Sequence, residues 1–380
     1  MNAHSLGWDI FCTVIDNYGD IGICWRVARQ LVHERKQRVR LWVDDLDTFQ
    51  RICPEVDARQ DRQTVEGVEI RRWSQDMPEV RPWDVVVEAF ACRVPEKFLL
   101  AMAASLPKPV WINLEYFSAE AWVAQSHGLR SPHPRLPLTQ YFFIPGIGPD
   151  SGGVLGSPAE LQALDRFRSD AAAQQAFWAE CGRPDTGALK ISLFAYDNPA
   201  IPGLVEALRH AARPVLLLAP EGKGLGQVAR GLGVPALSTG TCIRQGALSV
   251  RALPFMPQAR YDRLLWACDI NFVRGEDSFI RAQHAARPLV WQAYVQEGGA
   301  QRPKLEAFLG QYARGLPQPA EAALREAWRV WNAGEDNPGV WAEWLRHLPA
   351  YEAHALGWAE KLRGWPNLVG ALVEFVGSRV

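Results

Sequence analysis

Residues 16–31 read DNYGDIGICWRVARQL. They follow an apolar run, Trp8–Ile15, with the length and composition of a buried strand. They turn through Gly19 and Gly22 into a stretch of helical periodicity, Gly22–Glu34. Strand, glycine turn and helix make the first βα unit of an open α/β sheet, where ligands collect beyond the carboxyl ends of the strands. Two carboxylates, Asp16 and Asp20, lie at this hand-over. Asp20 falls where a side-chain oxygen caps the N–H groups of a helix start, where an aspartate shapes a turn, or where it carries chemistry. Spacing alone leaves these alternatives open.

Outward from this segment, the first half of the chain alternates short apolar runs with helical patterns. Strands are predicted at Val39–Val43, Val68–Arg72, Asp84–Glu88 and Pro109–Asn113, and a further helix at Pro95–Ser105. Such alternation argues for a parallel sheet with helices on both faces. Residues 144–157, IPGIGPDSGGVLGS, read as a linker or mobile loop because of their Gly and Pro content. A second series follows. Strands at Ala188–Leu193, Pro214–Leu218, Leu248–Leu253, Asp269–Val273 and Pro288–Gln292 alternate with helices at Ile201–His210, Leu225–Leu232, Tyr261–Ala267 and Phe279–Ala286. Residues from Glu321 to Val380 read as essentially helical. Two α/β domains joined by a hinge are expected, with a ligand cleft between them.

The second series holds a segment that repeats the logic of the first, NFVRGEDSFIRAQ at 271–283. A strand ends at Val273, the residues Arg274, Gly275, Glu276, Asp277 and Ser278 turn, and a helix begins near Ser278. An arginine beside a helix N-terminus suits a diphosphate, and Gly275 permits close backbone approach. Glu276 and Asp277 repel phosphate if they face it, so at least one points to a sugar or an acceptor, or caps the helix; Ser278 also suits a cap. Nearby in sequence, Phe194 and Tyr196 follow a strand in SLFAYDN, and Phe255, Gln258 and Tyr261 occur in PFMPQARYD. A flat base can stack between such rings while Gln258 bonds its edge; each ring taken singly also suits a core position.

Composition bounds the rest. The 380 residues are enough for two domains. A formal charge of −1 gives no electrostatic footprint for nucleic acid or an anionic membrane. Seven cysteines without a CxxC pair suggest reduced thiols. The start, MNAHSLGWDIF, lacks a basic n-region, and no apolar run approaches a membrane span, so a cytoplasmic protein is expected. Trp328, Trp331, Trp341 and Trp344 fall at helical spacings and read as core. The glycines of GDIGICW lack the dinucleotide order G-x-G-x-x-G, although Asp44 and Asp45 mimic its ribose-binding acid. EGKG at 221–224 is not a phosphate-binding P-loop. Asp44, Asp45 and Asp47 suit a cation or a solvated loop, and the histidines show no zinc-site spacing.

With both segments in hand, the chain resembles the bacterial elongation factor P arginine rhamnosyltransferases. The resemblance is carried by DNYGDIGICWRVARQL, INLEYFSAEAWV, SLFAYDN and NFVRGEDSFIRAQ, and runs over nearly the whole chain. It implies the GT-B arrangement, two facing Rossmann-like domains with an interdomain cleft. The acceptor-side domain would span 1–155, with a C-terminal helix at about 360–380 able to pack back onto it, and the nucleotide-sugar domain 156–359. It implies inverting transfer of L-rhamnose from dTDP-β-L-rhamnose to an arginine of elongation factor P, with no metal and no cofactor. In this likeness Asp20 is the general base, Asp16 its carboxylate partner and Glu276 a third essential acid. Arg274, Gly275, Asp277 and Ser278 hold the diphosphate. Phe194, Tyr196, Phe255, Gln258 and Tyr261 line the base pocket, with Tyr18 and Gly19 also at the donor. Other readings are a nucleotide-sugar transferase with a small-molecule or lipid acceptor, a non-catalytic nucleotide-sugar module, and a nicotinamide dehydrogenase.

Overall fold

The structure, a computed structural model of the chain, describes residues 5–15, 18–295, 299 and 301–380. It divides into two compact units, Met1–Ser157 with Trp365–Val380, and Pro158–Gly364.

The first unit is built on a sheet of β1 (Gly7–Cys12), β2 (Arg38–Val43), β3 (Arg62–Val65), β4 (Val68–Arg72), β5 (Val85–Ala89), β6 (Val110–Leu114), β7 (Arg130–Pro132) and β8 (Thr139–Phe143). Their spatial order is β3-β4-β2-β1-β5-β6-β8-β7. The pairs β1–β2, β2–β4, β1–β5, β5–β6 and β6–β8 are parallel, while the edge strands β3 and β7 pair antiparallel. Fully buried β1 and β5 are predominantly apolar, each carrying a single acid, Asp9 and Glu88, because helices cover both faces of the sheet.

The second unit repeats the plan with β9 (Leu189–Leu193), β10 (Val215–Pro220), β11 (Cys242–Gln245), β12 (Leu248–Leu253), β13 (Ile270–Arg274) and β14 (Leu289–Gln292) in the order β11-β12-β10-β9-β13-β14. Only β11 is antiparallel among these pairs. In each unit the chain winds outward from its first strand, then returns to the other side of that strand. The order therefore reverses between β1 and β5, and again between β9 and β13. These are the two Rossmann-type switch points, where a crevice opens at the carboxyl ends of the strands.

Two expectations need correction, and a third, the helical tail, is borne out in finer detail. The first strand ends at Cys12, not Ile15, and its helix begins at Gly19. Beyond Cys12 the backbone leaves the ladder to bond side chains: Val14 N–H donates to Asp44 Oδ1 at 3.0 Å and Ile15 N–H to Asp20 Oδ2 at 2.8 Å. Residues 144–157 are no open linker. Gly146 and Gly152 N–H donate to the carbonyls of Gly153 and Ile144, and residues 151–156 are buried. Gly153, at φ +76°, packs so tightly that an added Cβ would stand 2.1 Å from the Pro366 carbonyl oxygen. The helical tail is broken into Gln318–Ala333, Pro338–Arg346, Leu348–Gly364 and Leu368–Gly377. The last belongs to the first unit, where Asn367 caps it and accepts a bond from Gln30 of the helix Gly19–His33.

Trp328, Trp331, Trp341 and Trp344 are buried, as their spacing predicts. They and neighbouring rings grip both sides of the second turn. Phe272 on β13 lies 4.9 Å from Trp331 and 5.5 Å from Trp341, and Phe279 on the next helix stacks on Trp291 at 3.9 Å. Among the described residues no helix is long and apolar enough to cross a membrane.

Candidate active site

The first switch point places Asp20 in the opening turn of the helix Gly19–His33. Its side chain is 1% exposed. Each carboxylate oxygen is held: Oδ2 accepts the Ile15 N–H at 2.8 Å, and Oδ1 accepts the Tyr116 hydroxyl at 2.8 Å. Tyr18 occupies the N-cap position without a side-chain cap, its carbonyl accepts the Gly22 N–H, and the Arg51 guanidinium lies 5.6 Å above its ring. Asp16 lies outside the described residues. Below this turn, a hydrogen bond with Cys24 and then burial push the Cys12 thiol well above its ordinary range, and burial pushes up that of Cys92. Neither thiol ionises near neutral pH, so the floor under Asp20 adds no charge there.

Of the acids Asp44, Asp45 and Asp47, the first two do structural work and the third is exposed. Asp44 holds Val14 N–H and Asp45 N–H, and Asp45 caps the helix Leu46–Ile52 through Thr48. Among the described residues no group of acids, histidines and cysteines is arranged to hold a metal ion.

The second switch point brings together the segments after β9 and β13. Arg274 ends β13 and is buried. Its guanidinium carbon lies 4.4 Å from the Phe194 ring centre and 4.5 Å from that of Tyr196, so the planar cation is held between two aromatic faces. Arg274 Nη1 has no hydrogen-bond partner among the described residues. A buried cationic donor in that state is costly unless an anion meets it. Gly275 adopts φ +59°, a conformation that costs glycine little. Its carbonyl accepts Trp291 Nε1–H at 2.7 Å, which pins the turn to β14.

Ser278 does not cap the helix Asp277–His284 as a lone hydroxyl would; it accepts the Arg274 N–H at 3.1 Å and donates to the Arg274 carbonyl, closing the turn on itself. Asp277 Oδ2 accepts from Gln258 Nε2 at 2.9 Å, and Gln258 is buried. Glu276, at the N-cap position, makes no side-chain cap; it is 8% exposed and stands 3.6 Å from Lys304 Nζ. Tyr261 is buried 5.3 Å from the Phe194 ring, and burial raises its phenol far above the ordinary value. Phe255 is half-buried on the loop before Gln258. The structure thus gathers Phe194, Tyr196, Tyr261, Arg274, Gly275, Asp277, Ser278 and Gln258 around one turn.

Sequence reasoning passed over several residues here. Gln292 Oε1 accepts the Tyr196 N–H at 2.9 Å and so fixes that ring's backbone; a polar residue closing the apolar strand PLVWQ was its signal. Lys304 carried none. Tyr116 sits just past β6 in INLEYF, at the ligand end of the sheet, which was a signal by position alone. Glu88, at the end of β5, is buried and accepts from Arg93 N–H and Gln140 Nε2.

Comparison with known proteins agrees with this double plan. Residues 8–377 match the family model described as elongation factor P (EF-P) rhamnosyltransferase EarP. A protein-arginine rhamnosyltransferase of Pseudomonas aeruginosa is 48% identical over 369 residues, 97% of this chain and 98% of that protein. A solved structure concerning EarP-mediated arginine glycosylation of translation elongation factor EF-P superposes with a TM-score of 0.71 at 35% identity, covering 99% of this chain and 100% of that one. The spinosyn forosaminyltransferase SpnP, at 11% identity, covers 99% of both chains with a TM-score of 0.54 and shares the fold alone. The fold class is GT-B, built from two Rossmann-like domains. The chain belongs to the elongation factor P rhamnosyltransferase family.

Proposed function

We propose that this protein transfers L-rhamnose from dTDP-β-L-rhamnose to an arginine side chain of elongation factor P, in a single displacement that inverts the anomeric centre. The observation that carries the donor side is Arg274, a buried guanidinium sandwiched by Phe194 and Tyr196 with one nitrogen unpartnered at a switch point. The acceptor reading draws on the Pseudomonas relative and on the EarP that glycosylates EF-P.

An arginine guanidinium is a poor nucleophile, protonated at neutral pH with its lone pair delocalised. A carboxylate that grips it through charge-assisted hydrogen bonds localises charge on one nitrogen and accepts the proton as the C–N bond forms. Asp20 fills that role in this reading, with Asp16 as its partner. Glu276 steadies the sugar or the developing oxocarbenium charge. Arg274 and the N–H groups of the helix Asp277–His284 stabilise the departing diphosphate. That is the role a metal plays in other transferases, so none is required here. Gly275 and Ser278 shape this anion-binding turn. Phe255, Gln258 and Tyr261 line the thymine side with the two rings that hold Arg274, and Tyr18 and Gly19 border the sugar.

The test is intact-mass spectrometry of unmodified elongation factor P after incubation with the protein and dTDP-β-L-rhamnose in the presence of chelator. A gain of one deoxyhexose on an arginine supports donor, acceptor and metal independence together. No gain with donor binding intact points to another acceptor; no gain and no binding sinks the reading.

A further inference from the structure

We propose that Tyr116 is a positioning residue for transfer, holding the Asp20 carboxylate in the orientation from which it takes the acceptor's proton. The proposal rests on the reading of Asp20 as the base. Tyr116 and Asp20 are 96 residues apart in sequence, and the phenol donates to Asp20 Oδ1 at 2.8 Å. With the Ile15 N–H on Oδ2, rotation of the carboxylate about its Cβ–Cγ bond requires breaking two bonds inside a buried site.

The tyrosine is itself held. Its ring stacks on Phe90 with centroids 4.3 Å apart and planes 14° from parallel. Phe90 belongs to a loop after β5 in which three non-glycine residues, Phe90, Ala91 and Arg93, have φ of +57°, +55° and +55°. Left-handed backbone at bulky residues is unfavourable, and it persists only where surrounding contacts over-determine it, most often at functional sites. The contacts are present. Phe90 N–H donates to the Leu114 carbonyl, Cys92 N–H to that of Ala89, the Cys92 thiol to that of Phe11, and Arg93 N–H to Glu88 Oε1. The strained loop presses Phe90 onto Tyr116, and Tyr116 fixes Asp20. A fixed direction of attack favours a proton transfer that must coincide with bond formation.

Tyr116→Phe keeps the stack and deletes only the hydroxyl. It should lower kcat by about ten- to a hundred-fold, the worth of one hydrogen bond to a charged group. The KM for donor and acceptor should stay within about twofold, with the thermal unfolding midpoint unchanged. Phe90→Leu keeps the hydroxyl but loosens the stack, and should give a smaller fall in kcat with the same KM pattern. Wild-type kcat in Tyr116→Phe beside an inactive Asp20→Asn overturns the positioning role alone. A loss of kcat matched by a lowered unfolding midpoint also overturns it, assigning Tyr116 to the fold. Retained turnover in Asp20→Asn instead removes the base reading, and the proposal falls with it.

Discussion

The two sheets share one winding, and their equivalent strands end on opposite charges. β5 and β13 each return to the far side of the first strand of their sheet. β5 closes on the buried acid Glu88, beside a turn that presents Asp20. β13 closes on the buried cation Arg274, inside an aromatic clamp. The topology supplies the same crevice twice; the last one or two residues of a strand decide what the crevice attracts. A carboxylate held by a phenol and a backbone amide suits a cationic acceptor. A guanidinium held by two ring faces suits a polyanionic donor.

The largest effect that follows is on chemistry at the acidic end. Asp20→Asn preserves size and removes the proposed proton acceptor, so turnover should fall by about a hundred- to ten-thousand-fold while calorimetric donor affinity is kept. Loss of donor affinity in the same variant would blur the division between an acidic and a cationic crevice.

Below the turns the scaffolds differ as well. Asp9 and Arg40 face each other in register on β1 and β2, 2.5 Å apart and both buried, with Asp9 also accepting Trp42 Nε1–H and the Trp83 N–H. In the second sheet a buried polar rung, on the other flank of the first strand, is neutral: Ser192 Oγ–H donates to Asn271 Oδ1 at 2.6 Å between β9 and β13. Asp9→Ala leaves an uncompensated buried cation and should destabilise by about 3–5 kcal/mol. Ser192→Ala should cost only about 1 kcal/mol. Urea unfolding of both variants measures the contrast, and equal losses would break it.

Donor affinity is the third lever. Arg274→Ala should weaken dTDP-rhamnose binding by about ten- to a hundred-fold in calorimetry. Arg274→Lys should recover little of it, because an ammonium cannot lie flat between Phe194 and Tyr196. Full recovery by lysine would reduce the clamp to a point charge.

Much of this was legible in the sequence because buried parallel strands are long apolar runs and each turn carries glycine and charge at its strand end. Asp20 and Arg274 announced themselves by interrupting that pattern. The edge strands β3, β7 and β11 did not, since half-exposed sequences such as RQTV and CIRQ carry no apolar run to read. Asp9 and Arg40 were absorbed into their strands, because a charge satisfied by its register partner leaves no local trace. The Gly/Pro content of residues 144–157 signalled a turn correctly but not its burial, which depends on Pro366 some two hundred residues later. The bond between Tyr116 and Asp20 was invisible for the same reason: local patterning places a residue at a strand end, and only the sheet order decides which strand ends meet.

The smallest effect sharpens the comparison at Glu88. Burial holds its carboxyl above the ordinary value of 4.5, against the Arg93 amide and other hydrogen bonds that favour the charged form. The folded state therefore binds this proton more tightly than the unfolded chain does. Its contribution to stability is complete below pH 4.5 and is lost as pH rises through the folded value. Glu88→Gln removes that loss, because a neutral amide has no charged form to desolvate. The variant's stability relative to the parent should therefore improve from pH 4 to pH 7, measured as the difference in urea midpoints. A flat difference across the window would mean that the hydrogen bonds to Glu88 fully offset its burial. The acidic end of β5 would then be a comfortable site for a charge, as the aromatic clamp is for Arg274.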